Sequence, residues 1–162
     1  MTRIIVVGGG PAGLMSAFFA ANNNNDVLLL EKNEKLGKKL YITGKGRCNV
    51  TNEKCVGQDF LNNVVSNPKF LYSAISAFDY NDAVAFFEDN GCKLKVERGG
   101  RVFPVSDKAS DITKALTHAI MQKGVRVQLD TNVVSIEKNG ETFEVQTNKG
   151  LFVCDKVILT TG

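Results

Sequence analysis

Ile4-Ile5-Val6-Val7-Gly8-Gly9-Gly10-Pro11-Ala12-Gly13, taken with Val27-Leu28-Leu29-Leu30-Glu31, decides how this chain folds. The first four residues are apolar and β-branched, the composition of a buried strand. A glycine-rich turn follows. Leu14, Ala17, Phe18 and Ala21 then recur at helical spacing, and Asn22 to Asn25 turn the chain into a second apolar strand that ends in Glu31. This is a βαβ unit with G-x-G-x-x-G at its first turn and an acid at the end of its second strand.

Each position in that turn has a physical task. Gly8 permits the tight exit from the strand, Gly10 lets a pyrophosphate approach the backbone, and Gly13 lets the helix lie close to the sheet. The helix N-terminus offers free N–H groups and a positive dipole end. Glu31 is placed to accept hydrogen bonds from ribose hydroxyls and to repel a 2′-phosphate. The candidate dinucleotide contacts here are therefore Gly8, Gly10, Pro11, Ala12, Gly13 and Glu31.

Outward from this unit, Lys32 to Arg47 carries six basic residues against Glu34, with Gly37, Gly44 and Gly46. It reads as an extended loop along the cofactor edge, suited to a pyrophosphate or an electron-rich ring. The dense glycines in Thr43-Gly44-Lys45-Gly46-Arg47-Cys48-Asn49 point to close backbone approach. Cys48, between Arg47 and Asn49, is read as structural rather than reactive, because no resolving cysteine is placed by the sequence.

Asn67-Pro68 predicts an N-cap and first helical position, with Phe70, Leu71, Ala74, Ile75 and Phe78 in helical period behind it. A short helix around Val84 and Phe87 ends at Gly91. Leu94 to Phe103, turning at Gly99-Gly100, predicts a hairpin. Residues 53–107 thus read as a helical and hairpin insertion. Ala109 to Lys123 predicts an amphipathic helix with His118 on its polar face. Val125 to Leu129 predicts a third parallel strand next to the second. Residues 131–155 predict a three-stranded β-meander, and Lys156 to Leu159 a return to the parallel sheet.

Length fits one domain, and 43% apolar residues can build a core. A net charge of +3 is too mild to argue for nucleic acid, and only Tyr41 interleaves with the basic residues, so a nucleic-acid role is not expected. Four cysteines without a C-x-x-C pair, and one histidine, offer no metal set. No run reaches membrane-spanning length and no signal peptide is visible, so a reducing, cytoplasmic setting is expected.

A three-strand crossover back to a parallel sheet, in place of a helix, resembles the glutathione-reductase-like FAD-binding fold. Glu31-Lys32 with Leu36-Gly37-Lys38, and Val157 to Gly162 with Thr160 where an alanine is usual, resemble that group's second-strand and A-T-G motifs. The match narrows further. Gly37-Lys38-Lys39-Leu40, Thr43 to Asn52, and Gly100-Arg101-Val102-Phe103-Pro104 with Ser106, Lys108, Ala109 and Asp111 resemble the bacterial NAD(P)/FAD-dependent oxidoreductase flavoproteins. That family includes aminoacetone-oxidase-like and bile-acid-reductase-like members.

The resemblance covers essentially the whole chain. It implies an α/β, Rossmann-type FAD-binding fold, and FAD contacts at Lys32, Lys39, Thr43, Gly44, Gly46, Arg47, Cys48, Asn49, Val133, Thr161 and Gly162. Lys45 stands where the family has a glycine, and would point to solvent or toward a phosphate. Family members are more than twice as long and carry a substrate domain and a closing segment, so this chain is expected to be an incomplete, N-terminal FAD-binding portion. Its expected partners are FAD and the missing C-terminal part, or a second copy through open sheet edges. In the complete enzyme, hydride would pass between NAD(P)H or a substrate and FAD; the fragment alone would be inactive. The alternative is a non-catalytic nucleotide-binding or interaction module.

Overall fold

The computed structural model describes residues 1–162. In chain order, β1 (Thr2–Val7), α1 (Pro11–Ala20) and β2 (Asn25–Leu30) form the expected βαβ unit. Residues 38–46 then follow as two short 3₁₀ turns joined at a kink, where an extended loop was expected. The local reason is four consecutive helix-tolerant residues, Lys38 to Tyr41, before the glycines.

A small antiparallel sheet and short helices come next. They are β3 (Thr51–Asn52), α2 (Gly57–Asn62), α3 (Tyr72–Ala77), α4 (Tyr80–Asp89), β4 (Leu94–Glu97) and β5 (Arg101–Pro104). The chain continues through α5 (Ala109–Gln122), β6 (Arg126–Gln128), β7 (Val133–Asn139), β8 (Thr142–Thr147), β9 (Gly150–Cys154) and β10 (Lys156–Leu159).

The chain divides into two compact units, 1–40 with 116–162, and 41–115. The first holds a parallel sheet of order β10-β1-β2-β6 and the antiparallel meander β7-β8-β9. β1 pairs in register with both neighbours, Val7 lying beside Leu30 and Leu159. Ile5, Val7, Leu28 and Leu30 point to the meander and form one core with Val145 and Cys154. Ile4, Val6, Val27 and Leu29 point the other way, to the face on which α1 packs. Burial on both faces explains why β1 and β2 read as unbroken apolar runs rather than alternating ones. β6 and β10 are the sheet's edges.

The second unit has the sheet β3-β5-β4, with α4 against β3 and β4. The expected hairpin is β4–β5. α4 starts with a reciprocal capping box, Asp79 accepting from the Asn81 and Asp82 N–H groups while Asp82 accepts from Asp79 N–H. The expected cap at Asn67 differs. Pro68 does open a short 3₁₀ helix, but Asn67 takes a left-handed conformation (φ 51°) and its side chain caps nothing. The helical period expected from Phe70 to Phe78 is split between the 3₁₀ helix ending at Leu71 and α3, and Phe70 is 85% exposed. No helix is long and apolar enough to cross a membrane.

Candidate dinucleotide site

The turn between β1 and α1 places its glycines in unlike surroundings. Gly8 has φ 109°, and a Cβ there would collide with the Thr160 carbonyl. At Gly13 a Cβ would collide with the Gly8 carbonyl, so α1 lies directly against the strand exit. Gly10, the N-cap of α1, has an ordinary φ of −78° and nothing within 4 Å of where a Cβ would be. No side chain caps α1, and no acid sits in its first turn. Pro11 occupies the first helical position, which has no N–H to satisfy. Ala12 and Gly13 complete an uncompensated positive helix end beside an open backbone, the arrangement that accepts a phosphate.

Glu31 is buried at the end of β2. Its Oε2 accepts from Gly9 N–H at 2.6 Å, and its Oε1 from the Asn33 backbone N–H at 2.8 Å and Asn33 Nδ2 at 2.5 Å. The carboxylate is therefore first a staple between the glycine turn and the segment after β2. Gly9 O in turn accepts from Gly37 N–H at 2.8 Å. A Cβ on Gly9 would press on Leu36 Cδ2 at 2.5 Å and on Glu31 Cβ at 3.0 Å. A side chain at this position, which the motif leaves open, would have to displace Leu36.

Thr160 closes the turn from β10. Its N–H donates to Val7 O at 2.9 Å, and its Oγ1 lies 2.9 Å from Val7 O and 3.0 Å from Gly8 O. An alanine there would keep the backbone bond and lose both Oγ1 contacts. Lys39 Nζ comes within 3.4 Å of the Cβ position of Gly162, so these two candidates meet. Lys32 and Thr161 are exposed. Val133 opens β7 beside Thr147, just before a bulge in the ladder. Cys154 ends β9 of the meander, buried in the core shared with β1 and β2, and burial pushes its thiol up.

The Thr43–Asn49 segment lies in the second unit, and most of its groups are engaged there. Arg47 Nη1 donates to Glu97 Oε1 at 2.9 Å and Asp107 Oδ1 at 3.2 Å, and the guanidinium stacks 4.1 Å from the Phe103 ring centre. Lys95 completes the network, 2.7 Å from Asp107. The guanidinium expected at FAD is thus already held by two carboxylates and a ring. Asn49 Oδ1 accepts from Val102 N–H at 3.2 Å. Gly44 (φ 53°) is a glycine for internal reasons, since a Cβ would lie 2.9 Å from Asn49 N and 3.1 Å from Phe103. Gly46 alone in the segment has an open Cβ position, its nearest neighbour being Tyr41 O at 3.9 Å. Lys45 adopts φ 56° with its side chain exposed. Cys48 is buried with a thiol pushed up, first by burial, which agrees with a structural role.

Sequence reasoning gave no role to Gly9 or Asn33, and it named Gly37 only as part of the loop and its motifs. Asn33 carried no signal, since a lone polar residue after a strand reads as a turn. Thr160 did carry one, as the residue standing in place of the motif's alanine.

A meander-covered parallel sheet with an open, uncapped helix end at its first turn defines a Rossmann domain of the FAD-binding fold class. The chain belongs to the family described as HI0933-like protein Rossmann domain, which matches residues 2–162. It is 32% identical over 134 residues to the 3-dehydro-bile acid delta(4,6)-reductase of Clostridium scindens, and 28% identical over 134 residues to the ribosomal RNA dihydrouridine synthase of Escherichia coli. Each match covers 83% of this chain and 32% of the relative, so the chain spans about a third of their length. Among solved structures, Thermovibrio ammonificans THI4 superposes with a TM-score of 0.63 at 15% identity, over 99% of this chain and 57% of that one.

Proposed function

We propose that this chain is the FAD-binding portion of a flavin-dependent oxidoreductase. One observation carries the reading: at the N-terminus of α1, Gly8 and Gly13 are closed against protein while Gly10 is open and the helix end has no capping side chain. The residues fit the pyrophosphate of a dinucleotide. Ala12 and Gly13 N–H groups would hold it, Glu31 would offer Oε2 to the adenosine ribose, and the backbone at Val133 would meet the adenine edge. Lys39, Thr161 and Gly162 would border the same ligand, whereas Thr43, Gly44, Gly46, Arg47, Cys48 and Asn49 would serve as scaffold of the second unit, Arg47 through Glu97, Asp107 and Phe103. FAD, when bound, supplies the group that takes or returns a hydride. This chain's residues bind it, orient it and keep its phosphates neutralised.

The donor or acceptor of that hydride, NAD(P)H or a substrate, would be recognised by residues outside this chain. The two curated relatives act on a bile acid and on ribosomal RNA, by their names, so the substrate class differs within the family. Residues 53–107 serve in this reading as an insertion between the second and third strands of the nucleotide fold. Four free thiols suit a reducing, cytoplasmic setting.

The test is the absorbance spectrum of the purified chain before and after heat release of its ligand. Release of FAD is the expected result. A colourless chain that also takes up no added FAD overturns the reading and favours a non-flavin module.

A further inference from the structure

Asn33 makes contacts that the nucleotide fold does not require. Both its backbone N–H and its side-chain Nδ2 donate to Glu31 Oε1, while Gly9 N–H donates to Oε2. Asn33 is itself anchored, its C=O accepting from Asp130 N–H at 3.1 Å. The Glu31 backbone is fixed on both sides, donating to Gln128 O at 3.0 Å and accepting from Thr131 N–H at 2.9 Å. A carboxylate offers about four acceptor positions. Oε1 has two donors and Oε2 has one, so one acceptor position, on Oε2, stays open.

We propose that Asn33 is a positioning residue for nucleotide recognition: it immobilises the Glu31 carboxylate so that Oε2 alone meets a single ribose hydroxyl of a bound adenosine nucleotide. The proposal rests on the dinucleotide reading of the Gly8–Gly13 turn. Its consequence is a directional preference. A carboxylate free to rotate presents both oxygens to a ribose diol and values both hydroxyls. One pinned through Oε1 values the hydroxyl that reaches Oε2 and is nearly indifferent to the other. Removing the Asn33 side chain leaves Oε1 with the Asn33 backbone N–H as its one donor, so an acceptor position opens on Oε1 as well as on Oε2 and both hydroxyls can be valued.

The experiment uses the full chain and displacement of FAD, read by flavin fluorescence, with ADP, 2′-deoxy-ADP and 3′-deoxy-ADP as competitors. The native chain is expected to lose about tenfold in affinity for one deoxy analogue and little for the other, the size of one hydrogen bond to a charged group. In Asn33→Ala the two analogues become equivalent within about twofold, while Asn33→Ser, whose hydroxyl can still donate to Oε1, recovers part of the asymmetry. A purely structural Asn33 would weaken all three competitors alike and leave their ratios unchanged. If Asn33→Ala does not fold, Asn33→Ser against the native chain carries the same comparison. FAD binding with equal loss for both analogues in the native chain, or with ratios unmoved in the variants, overturns this inference alone. A native chain that takes up neither FAD nor ADP overturns the dinucleotide reading and this inference with it.

Discussion

Gly8 to Gly13 and Thr43 to Asn49 are both rich in glycine and sit in different units, yet their glycines are there for different reasons. In the first turn two glycines are closed against protein so that a third can stay open at a helix end. In the second, Gly44 is closed by Phe103 and Asn49, Arg47 is tied to Glu97 and Asp107, and Asn49 is tied to the backbone of β5. Glycine density reports a backbone under constraint. It does not say whether the close neighbour is a ligand or the protein itself. The open Cβ position at Gly10 and the packed one at Gly44 make that distinction.

The sharpest way to break the comparison is within the first turn. Gly8→Val forces a branched side chain into φ 109° and into the Thr160 carbonyl, and should destabilise by about 3 kcal/mol or more, or prevent folding. Gly10→Glu has space and an ordinary φ, so the unfolding free energy in urea should stay within about 1 kcal/mol of native. FAD affinity should nevertheless fall at least about tenfold, because a carboxylate would then occupy the positive helix end. Similar losses of stability in both variants would show that the turn is structural throughout.

In the second segment the ranking should invert, with stability at stake rather than ligand. Asn49→Ala removes the acceptor from the Val102 N–H in a residue that is 1% exposed. The expected cost is about 1 to 3 kcal/mol in chemical denaturation, the range for a buried donor left unsatisfied. FAD affinity measured under conditions where the variant is folded should change little. A native melting curve with a large loss of FAD affinity would make Asn49 a ligand contact instead.

The parallel sheet, the meander and the glycine turn were legible because each is local or periodic. β1 and β2 announce themselves as apolar runs, Asn139-Gly140 and Asn148 to Gly150 mark the meander's turns, and G-x-G-x-x-G has fixed spacing. What stayed hidden is pairwise and distant. Arg47 sits 50 residues from Glu97 and 60 from Asp107, so its basic side chain read as available for a phosphate. Gly9 looked like a spacer because Glu31, whose carboxylate it feeds, lies 22 residues on. The two-residue strand β3 was missed because Thr51-Asn52 is too short for a period and forms only by pairing with Val102 and Arg101.

A smaller effect distinguishes Lys45 from its glycine neighbours. Lys45 holds φ 56° between Gly44 and Gly46, and its side chain is exposed. The left-handed conformation costs a side-chain-bearing residue about 1 to 2 kcal/mol, partly offset by the greater unfolded-state freedom of glycine. Lys45→Gly is therefore expected to stabilise the chain by about 0.5 to 1 kcal/mol with FAD affinity unchanged. A fall in FAD affinity would assign the lysine to a phosphate.

The smallest expected effect lies in the Arg47–Glu97–Asp107–Lys95 network, whose members are partly exposed and screened by salt. Hydrogen bonds from Lys95, and then from Arg47, hold the Asp107 carboxyl below its ordinary value. A folded-state value below the unfolded one means that the unfolded chain binds the proton first as pH falls. The contribution is complete above the ordinary aspartate value near 4 and disappears as pH drops through the still lower folded value. Arg47 and Lys95 are shifted upward, so their share is lost only at strongly alkaline pH. Asp107→Asn should flatten the acid limb of stability against pH, and the flattening should shrink in high salt. It should leave FAD affinity at neutral pH unchanged, because the network is internal to the second unit. If Asp107→Asn instead weakens FAD binding at neutral pH with no change in the acid limb, the network belongs to the ligand site and the contrast between the two segments fails.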